Sequence, residues 1–155
     1  MLDCTAIAVE ELIPHSPPMV LLDRILKYDN MSLVAEVFIS PDSRFFEPSF
    51  EGVPAWVGIE YMAQAISALA GLRAREKHQA IKLGFLLGTR KLQLQHKVLH
   101  SGNCYHIYVK QLFWDESGLA SFECEIRQQD EVCVAARINV FETDDVKQVV
   151  GDGND

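Results

Sequence analysis

Apolar positions along the chain follow two patterns, and the first predicts a buried helix. Over residues 54 to about 75, apolar side chains cover nearly all faces of a helix instead of one stripe. Pro54 suits the first turn of such a helix, and Arg73, Arg75 and Lys77 are cations of the kind that a helix C-terminus favours. This segment is therefore predicted to be a helix surrounded by protein.

The second pattern predicts strands on both sides of this helix. β-branched and aromatic residues with turn signals between them indicate strands at 19–29, 32–39, 83–94, 104–114, 119–128 and 131–141. Within 119–128, apolar and charged residues alternate, which is typical of an antiparallel sheet with one wet face. Two strands, one long apolar helix and four strands predict an α+β fold, in which a curved sheet wraps around the helix.

Composition and charge limit the domain count and the partners. A chain of 155 residues, 48% of them hydrophobic, fits one ordinary domain, which we expect to span residues 1–142. Residues 142–155 contain five acidic residues and one basic residue, so residues 143–155 are predicted to be an acidic, disordered tail. A net charge of -8 argues against non-specific binding of nucleic acid, and no nucleic-acid partner is expected.

Targeting signals and metal motifs are missing from the sequence. The N-terminal residues lack the basic segment of a signal peptide, and polar residues interrupt the longest apolar run before it reaches the length of a membrane span. The four cysteines form no CxxC pair and no zinc spacing with histidine. We therefore expect a cytoplasmic protein with reduced thiols, no membrane span, no metal and no cofactor.

The few polar residues of the predicted helix fall on one face. Glu60, Gln64, Ser67 and Gly71 are spaced i, i+4, i+7 and i+11. A carboxylate on an apolar helix is costly to keep charged, so Glu60 is a candidate proton donor or acceptor near neutral pH. The same pattern allows a structural Glu60 that is satisfied by backbone donors or by an arginine.

Two further features are candidates for chemistry. His15 lies between prolines, which restrict the backbone and could hold its ring in place, although a lone histidine is more often a surface residue. Gly84 and Gly88 interrupt a strand pattern and indicate a bulge or a close approach, for example by a substrate. No glycine-rich phosphate loop and no serine nucleophile motif occurs.

Two segments resemble the 3-hydroxyacyl-[acyl-carrier-protein] dehydratases. Residues 12–24 resemble the opening of these enzymes, and residues 53–65 resemble the start of their central helix, where a catalytic acid precedes Met-Ala-Gln. In this sequence the acid is Glu60 and the glutamine is Gln64. The likeness covers roughly residues 10–141 and indicates the stand-alone branch found with aryl-polyene and related fatty-acid-like pathways.

The resemblance implies a hotdog fold, which forms a homodimer or a heterodimer with another hotdog chain and acts on acyl carrier protein thioesters. In the family, a histidine takes a proton from C2 and the helix carboxyl gives a proton to the departing hydroxyl, while backbone N–H groups at the helix start polarise the carbonyl. We therefore expect His15 and Glu60 to be catalytic. The expected substrate-binding residues are Gln64, Trp56, Phe46, Gly58 and Gly84.

The chain departs from this family at one position that matters for catalysis. The Gly-His-Phe-Pro-Gly loop of the classical enzymes corresponds to residues 45–50, where Phe46 stands at or near the place of the histidine. Either His15 supplies the base, which suits an imidazole near neutral pH, or dehydration has been lost. The alternative functions are an acyl-thioesterase, in which Glu60 activates water, and a non-catalytic hotdog subunit paired with an active dehydratase.

Overall fold

One long helix and eight strands make up residues 2–14, 19–79 and 83–143, the part of the chain that the computed structural model describes. The strands are β1 (Arg24–Tyr28), β2 (Ser32–Phe38), β3 (Gly52–Pro54), β4 (Leu83–Leu94), β5 (Val98–His100), β6 (Cys104–Trp114), β7 (Leu119–Gln128) and β8 (Glu131–Thr143), and the helix, α1, is Gly58–Glu76. Short 3-10 turns lie before β1, before β3 and between β3 and α1. The predicted order of strands, helix and strands is thereby confirmed.

Six strands form one antiparallel sheet in the order β1-β2-β6-β7-β8-β4, and β3 pairs with β5 in a second, small sheet. The helix packs on β2, β6 and β7 in the middle of the large sheet. Phe122 and Ile126 on β7 are buried toward the helix, whereas Glu123 is exposed. Strand alternation thus gives the sheet one apolar face, and burying that face against α1 forms the core.

The start of the helix differs from the prediction. Pro54 is the last residue of β3, a 3-10 turn covers Ala55–Val57, and α1 begins at Gly58. The backbone of Pro54 is extended, and the N–H of Ala55 donates to the carbonyl oxygen of Lys97 at 2.9 Å, next to β5. Pairing with this neighbouring segment keeps the chain extended for longer than the proline signal indicates.

The predicted strand at 19–29 is shorter in the structure, because β1 begins only at Arg24. Leu21 gives its backbone N–H to the side chain of Gln64 on α1, at 2.9 Å. A side chain therefore takes the place of the neighbouring strand as the hydrogen-bond partner of this backbone group.

Gly58 sets how closely the first turn of α1 approaches the sheet. A Cβ atom on Gly58 would lie 2.5 Å from Cδ1 of Ile126 on β7. Such a contact is far shorter than van der Waals packing permits, so a larger residue here would require the end of the Ile126 side chain to move or the helix start to shift. The small residue at this position therefore helps to fix the depth of the residues that follow it.

Strand β4 forms one edge of the large sheet, and its pairing with β8 is irregular. The register shifts between Leu86 and Gly88 and again between Arg90 and Gln93, which confirms the interruption predicted from the glycines in this strand. Leucines along β4 are exposed: Leu86, Leu87, Leu92 and Leu94.

Among the described residues, no helix combines the length and the hydropathy that a membrane crossing requires.

Candidate active site

Glu60 and Gln64 lie one turn apart near the start of α1 and contact each other. Glu60 is half-buried in the first turn of the helix, and the side chain of Gln64 is fully buried. Gln64 Nε2 donates to Glu60 Oε1 at 3.2 Å. The amide therefore holds one carboxylate oxygen and restricts the rotation of the Glu60 side chain.

The remaining hydrogen bonds of Gln64 go to the segment before β1. Its Nε2 also donates to the carbonyl oxygen of Met19 at 2.7 Å, while its Oε1 accepts the Leu21 N–H at 2.9 Å. Both donor hydrogens and the acceptor of this buried amide are therefore in use. One side chain thus ties Glu60 to the chain that directly follows residue 18.

The same face of α1 receives the N-terminal segment two turns further along. A Cβ atom on Gly71 would lie 2.3 Å from the carbonyl oxygen of Leu12, so the backbone of Leu12 packs directly on the helix. Gly71 and Gln64 are seven residues apart, about 10 Å along the helix axis. The N-terminal segment therefore packs on the helix face that was predicted to carry polar and small residues. Leu12 contacts this face at Gly71, and Met19 is hydrogen-bonded to Gln64.

The other predicted site residues lie in different elements of the fold. Trp56 is 60% exposed in the 3-10 turn before α1, and Phe46 is half-buried against the core. Gly84 is in β4, opposite Glu142 of β8 in the strand register. His15 lies outside the described residues. The structure thus brings Glu60 and Gln64 into contact, and the roles of all the predicted site residues stay predictions.

A cleft of about 540 Å³ opens beside the segment that Gln64 holds. Leu21 and Tyr61 line it together with Asp23, Phe38 and Arg44. Tyr61 directly follows Glu60 and is buried, and this burial, with a smaller contribution from the charge of Asp23, raises the pKa of its phenol. Tyr61 and Asp23 could not be singled out from the sequence, because each stands in an ordinary apolar-polar pattern and the cleft forms only when distant segments meet.

The architecture defines the class of this protein. An antiparallel sheet that wraps around one long helix is the hotdog fold, and solved structures of that fold superpose on the chain. A chain of the dehydratase heterocomplex ApeI:P from Xenorhabdus doucetiae is 31% identical, with a TM-score of 0.84 over 93% of this chain and 96% of its own.

Sequence comparison gives the family. Residues 7–151 match the ApeP-like family, described as ApeP dehydratase. The 3-hydroxyacyl-[acyl-carrier-protein] dehydratase FabZ of Anaeromyxobacter sp. (strain K) is 25% identical over 134 residues, which are 81% of this chain and 85% of the relative. The chain therefore belongs to the ApeP-like family of dehydratases.

This membership confirms the predicted hotdog fold and the predicted enzyme class. By contrast, a mutant thioesterase from Pseudomonas aeruginosa is 14% identical, with a TM-score of 0.59 over 77% of this chain and 80% of its own. At that identity the likeness shows the shared fold alone. The comparisons therefore favour a lyase over a hydrolase.

Proposed function

We propose that this chain dehydrates 3-hydroxyacyl thioesters carried on acyl carrier protein to trans-2-enoyl thioesters. The observation that carries the proposal is the half-buried Glu60 at the start of α1, with one oxygen held by the buried amide of Gln64, in a member of a dehydratase family. The substrate class, 3-hydroxyacyl groups on acyl carrier protein, is that of the similar FabZ dehydratases. A carboxyl group that is fixed in this way suits proton transfer to a leaving hydroxyl.

The reaction requires a base that removes a proton from C2 and an acid that protonates the hydroxyl group on C3. A base takes a proton from C2 while the Glu60 carboxyl gives its proton to the C3 hydroxyl, so the C3–O bond breaks, a C2–C3 double bond forms and water leaves. Among the described residues, no side chain caps the helix start at Val57. The Gly58 N–H already donates to carbonyl oxygens of the preceding 3-10 turn, so the helix start would act on the thioester carbonyl through its partial positive charge, which favours the loss of the C2 proton.

His15 is the proposed base, and the anchoring of its neighbours supports this role. Met19 is held by the same glutamine that contacts Glu60. Four residues span at most about 14 Å, so the chain cannot carry His15 far from Met19. An imidazole is also the side chain whose ordinary protonation range suits base work near neutral pH.

We propose further that the enzyme works in the cytoplasm as a dimer with itself or with a second hotdog chain. The exposed leucines of the edge strand β4 and the half-exposed Ala63 and Ala70 on α1 would be covered by such a partner. The ApeI:P structure is described as a dehydratase heterocomplex, which favours a second hotdog chain as the partner.

A single assay separates the possible functions. The protein is incubated with a 3-hydroxyacyl thioester, and both enoyl absorbance and free thiol are followed. Glu60→Gln and His15→Ala should each lower enoyl formation by about 10²–10⁴-fold with the fold intact. The exposed residues Glu123 and His100 provide the matched controls Glu123→Gln and His100→Ala, which should keep wild-type rates.

Three results would contradict the proposal in different ways. Release of thiol without enoyl formation would indicate a thioesterase. Enoyl formation that appears only when a second hotdog chain is added, and that survives Glu60→Gln, would indicate a non-catalytic subunit. Normal dehydration by His15→Ala would remove His15 from the mechanism and leave Glu60 in place.

A further inference from the structure

Three side chains with different metal-ligating atoms converge on the face of the large sheet that points away from α1. Cys104 and His106 are two residues apart on β6, so they lie on the same face, while Tyr105 between them is buried in the core. Glu36 on β2 is the register partner of His106. One ligand atom from each of these three residues lies within 4.8 Å of the other two.

We propose that Glu36, Cys104 and His106 form a binding site for a borderline divalent cation of the Zn²⁺ class. Carboxylate oxygen, thiolate sulfur and imidazole nitrogen are the donors that Zn²⁺ takes in proteins, and three of them leave one position open for water. Tetrahedral coordination at ordinary bond lengths places ligand atoms about 3.3–3.8 Å apart. Glu36 Oε2 and His106 Nε2, 3.3 Å apart, already have this separation, so Cys104 alone has to approach, by about 1 Å or less, through rotation of its exposed side chain.

The ion pair of Glu36 leaves room for a metal. Arg24 Nε donates to Glu36 Oε1 at 3.0 Å, whereas Oε2 faces His106 Nε2 at 3.3 Å. The side chain of Arg24 is 60% exposed, so its guanidinium can turn into water when a cation arrives. The oxygen beside the imidazole is thus the one that a metal would take.

The local charge also favours a cation once the thiol is ionised. Binding replaces the S–H bond of Cys104 with a sulfur–metal bond and releases one proton to the buffer. The thiolate, Glu36 and the neighbouring Asp23, whose charge acts on Cys104, then place three negative charges beside Arg24. Arg127, the register partner of His106 on β7, is paired with Glu125. A divalent cation balances the remaining charge.

The site would act on the fold and not on the chemistry. It bridges β2 and β6 on the outer face of the sheet, whereas Glu60 is on the helix that the inner face covers. A metal bound there cross-links two strands in the folded state alone, and it should raise the melting temperature by mass action. The inference is therefore independent of the dehydratase mechanism.

Cobalt(II) is the probe, because a thiolate–cobalt bond gives a near-ultraviolet charge-transfer band that oxygen and nitrogen ligands do not give. The full chain, reduced and free of chelators, is titrated with Co²⁺ and then with Zn²⁺. We expect the band to grow to one equivalent of Co²⁺ and to disappear as Zn²⁺ displaces it, with a rise in melting temperature.

Two ligand variants, one neighbouring variant and one control test the site. Cys104→Ser should abolish the band, and His106→Gln should weaken binding by at least about tenfold. Arg24→Gln should tighten binding, since it removes the competing cation from Glu36. The matched control is His100→Gln, an exposed histidine outside the cluster, which should bind as the wild type does.

Other results would overturn the proposal. Absence of the charge-transfer band in the folded protein would do so directly. Equal affinity of wild type, Cys104→Ser and His106→Gln would show an adventitious ion only. Circular dichroism of each variant checks that a lost band reflects a lost ligand and not a lost fold.

Discussion

The buried amide of Gln64 provides a direct test of how the site is held together. Gln64→Leu keeps the approximate volume of the side chain and removes all of its hydrogen bonds, to Met19, Leu21 and Glu60. The backbone N–H of Leu21 and the carbonyl of Met19 then lose their partners. A glutamine that only filled space would be replaced by leucine at little cost.

The size of the effect follows from the surroundings of these two groups. A buried polar group left without a partner costs about 1–3 kcal/mol. Met19 is 38% exposed and Leu21 is half-buried beside the cleft, so water can replace part of the lost bonding at both groups. We expect Gln64→Leu to lower the free energy of unfolding by about 1–3 kcal/mol and to slow dehydration, because Glu60 loses the donor that orients it.

Urea denaturation followed by tryptophan fluorescence measures the free energy of unfolding, at one fixed protein concentration. Gln111→Leu is the matched control. Gln111 is also buried, at 7% exposure, but it makes one long hydrogen bond, 3.5 Å to the carbonyl of Phe113. Its replacement should cost less than about 1 kcal/mol. Equal changes in the two variants would refute the anchoring role of Gln64.

Three further perturbations test other parts of the structure. Gly71→Ala should destabilise the fold by about 1–3 kcal/mol in thermal melts, since its new Cβ would overlap a main-chain carbonyl, whereas Gly88→Ala points into open space and should be nearly neutral. Arg75 and Lys77 are exposed cations at the end of α1, where an acidic carrier protein could dock. Arg75→Glu should therefore weaken turnover of carrier-linked substrate more than that of a short thioester mimic, and the difference should shrink in high salt; equal losses would place carrier docking elsewhere. Leu87→Asp on the edge strand should weaken the dimer in sedimentation, whereas Leu112→Asp on β6 should not; the reverse result would move the interface to β6.

The larger elements could be predicted from the sequence because their patterns are long. Apolar and polar residues alternate along β7 from Ala120 to Arg127, and α1 is apolar on nearly every face, so local chemistry alone indicated both elements. The strands β3 and β5 have three residues each, too few for an alternation to show. Their pairing, and the extended Pro54 within it, depends on contacts between distant segments.

In the candidate site too, contacts within one element could be predicted from the sequence, and contacts between distant segments could not. The contact of Glu60 with Gln64 follows from a spacing of one helical turn, so the sequence could predict it. The bonds from Gln64 to Met19 and Leu21 join residues more than forty positions apart, and only tertiary packing brings them together. For the same reason, the packing of the Leu12 backbone against Gly71 could not be predicted from the polar face of the helix.

The tight approach of Gly58 to Ile126 links the evolution of two positions far apart in the sequence. Because a Cβ on Gly58 would lie 2.5 Å from Cδ1 of Ile126, side chains at the two positions compete for the same space. A relative with alanine at the first position needs either a shorter side chain at the second or an isoleucine whose end turns away from the helix. Substitutions at these positions are therefore expected to covary among family members that keep the acid two residues further along the helix.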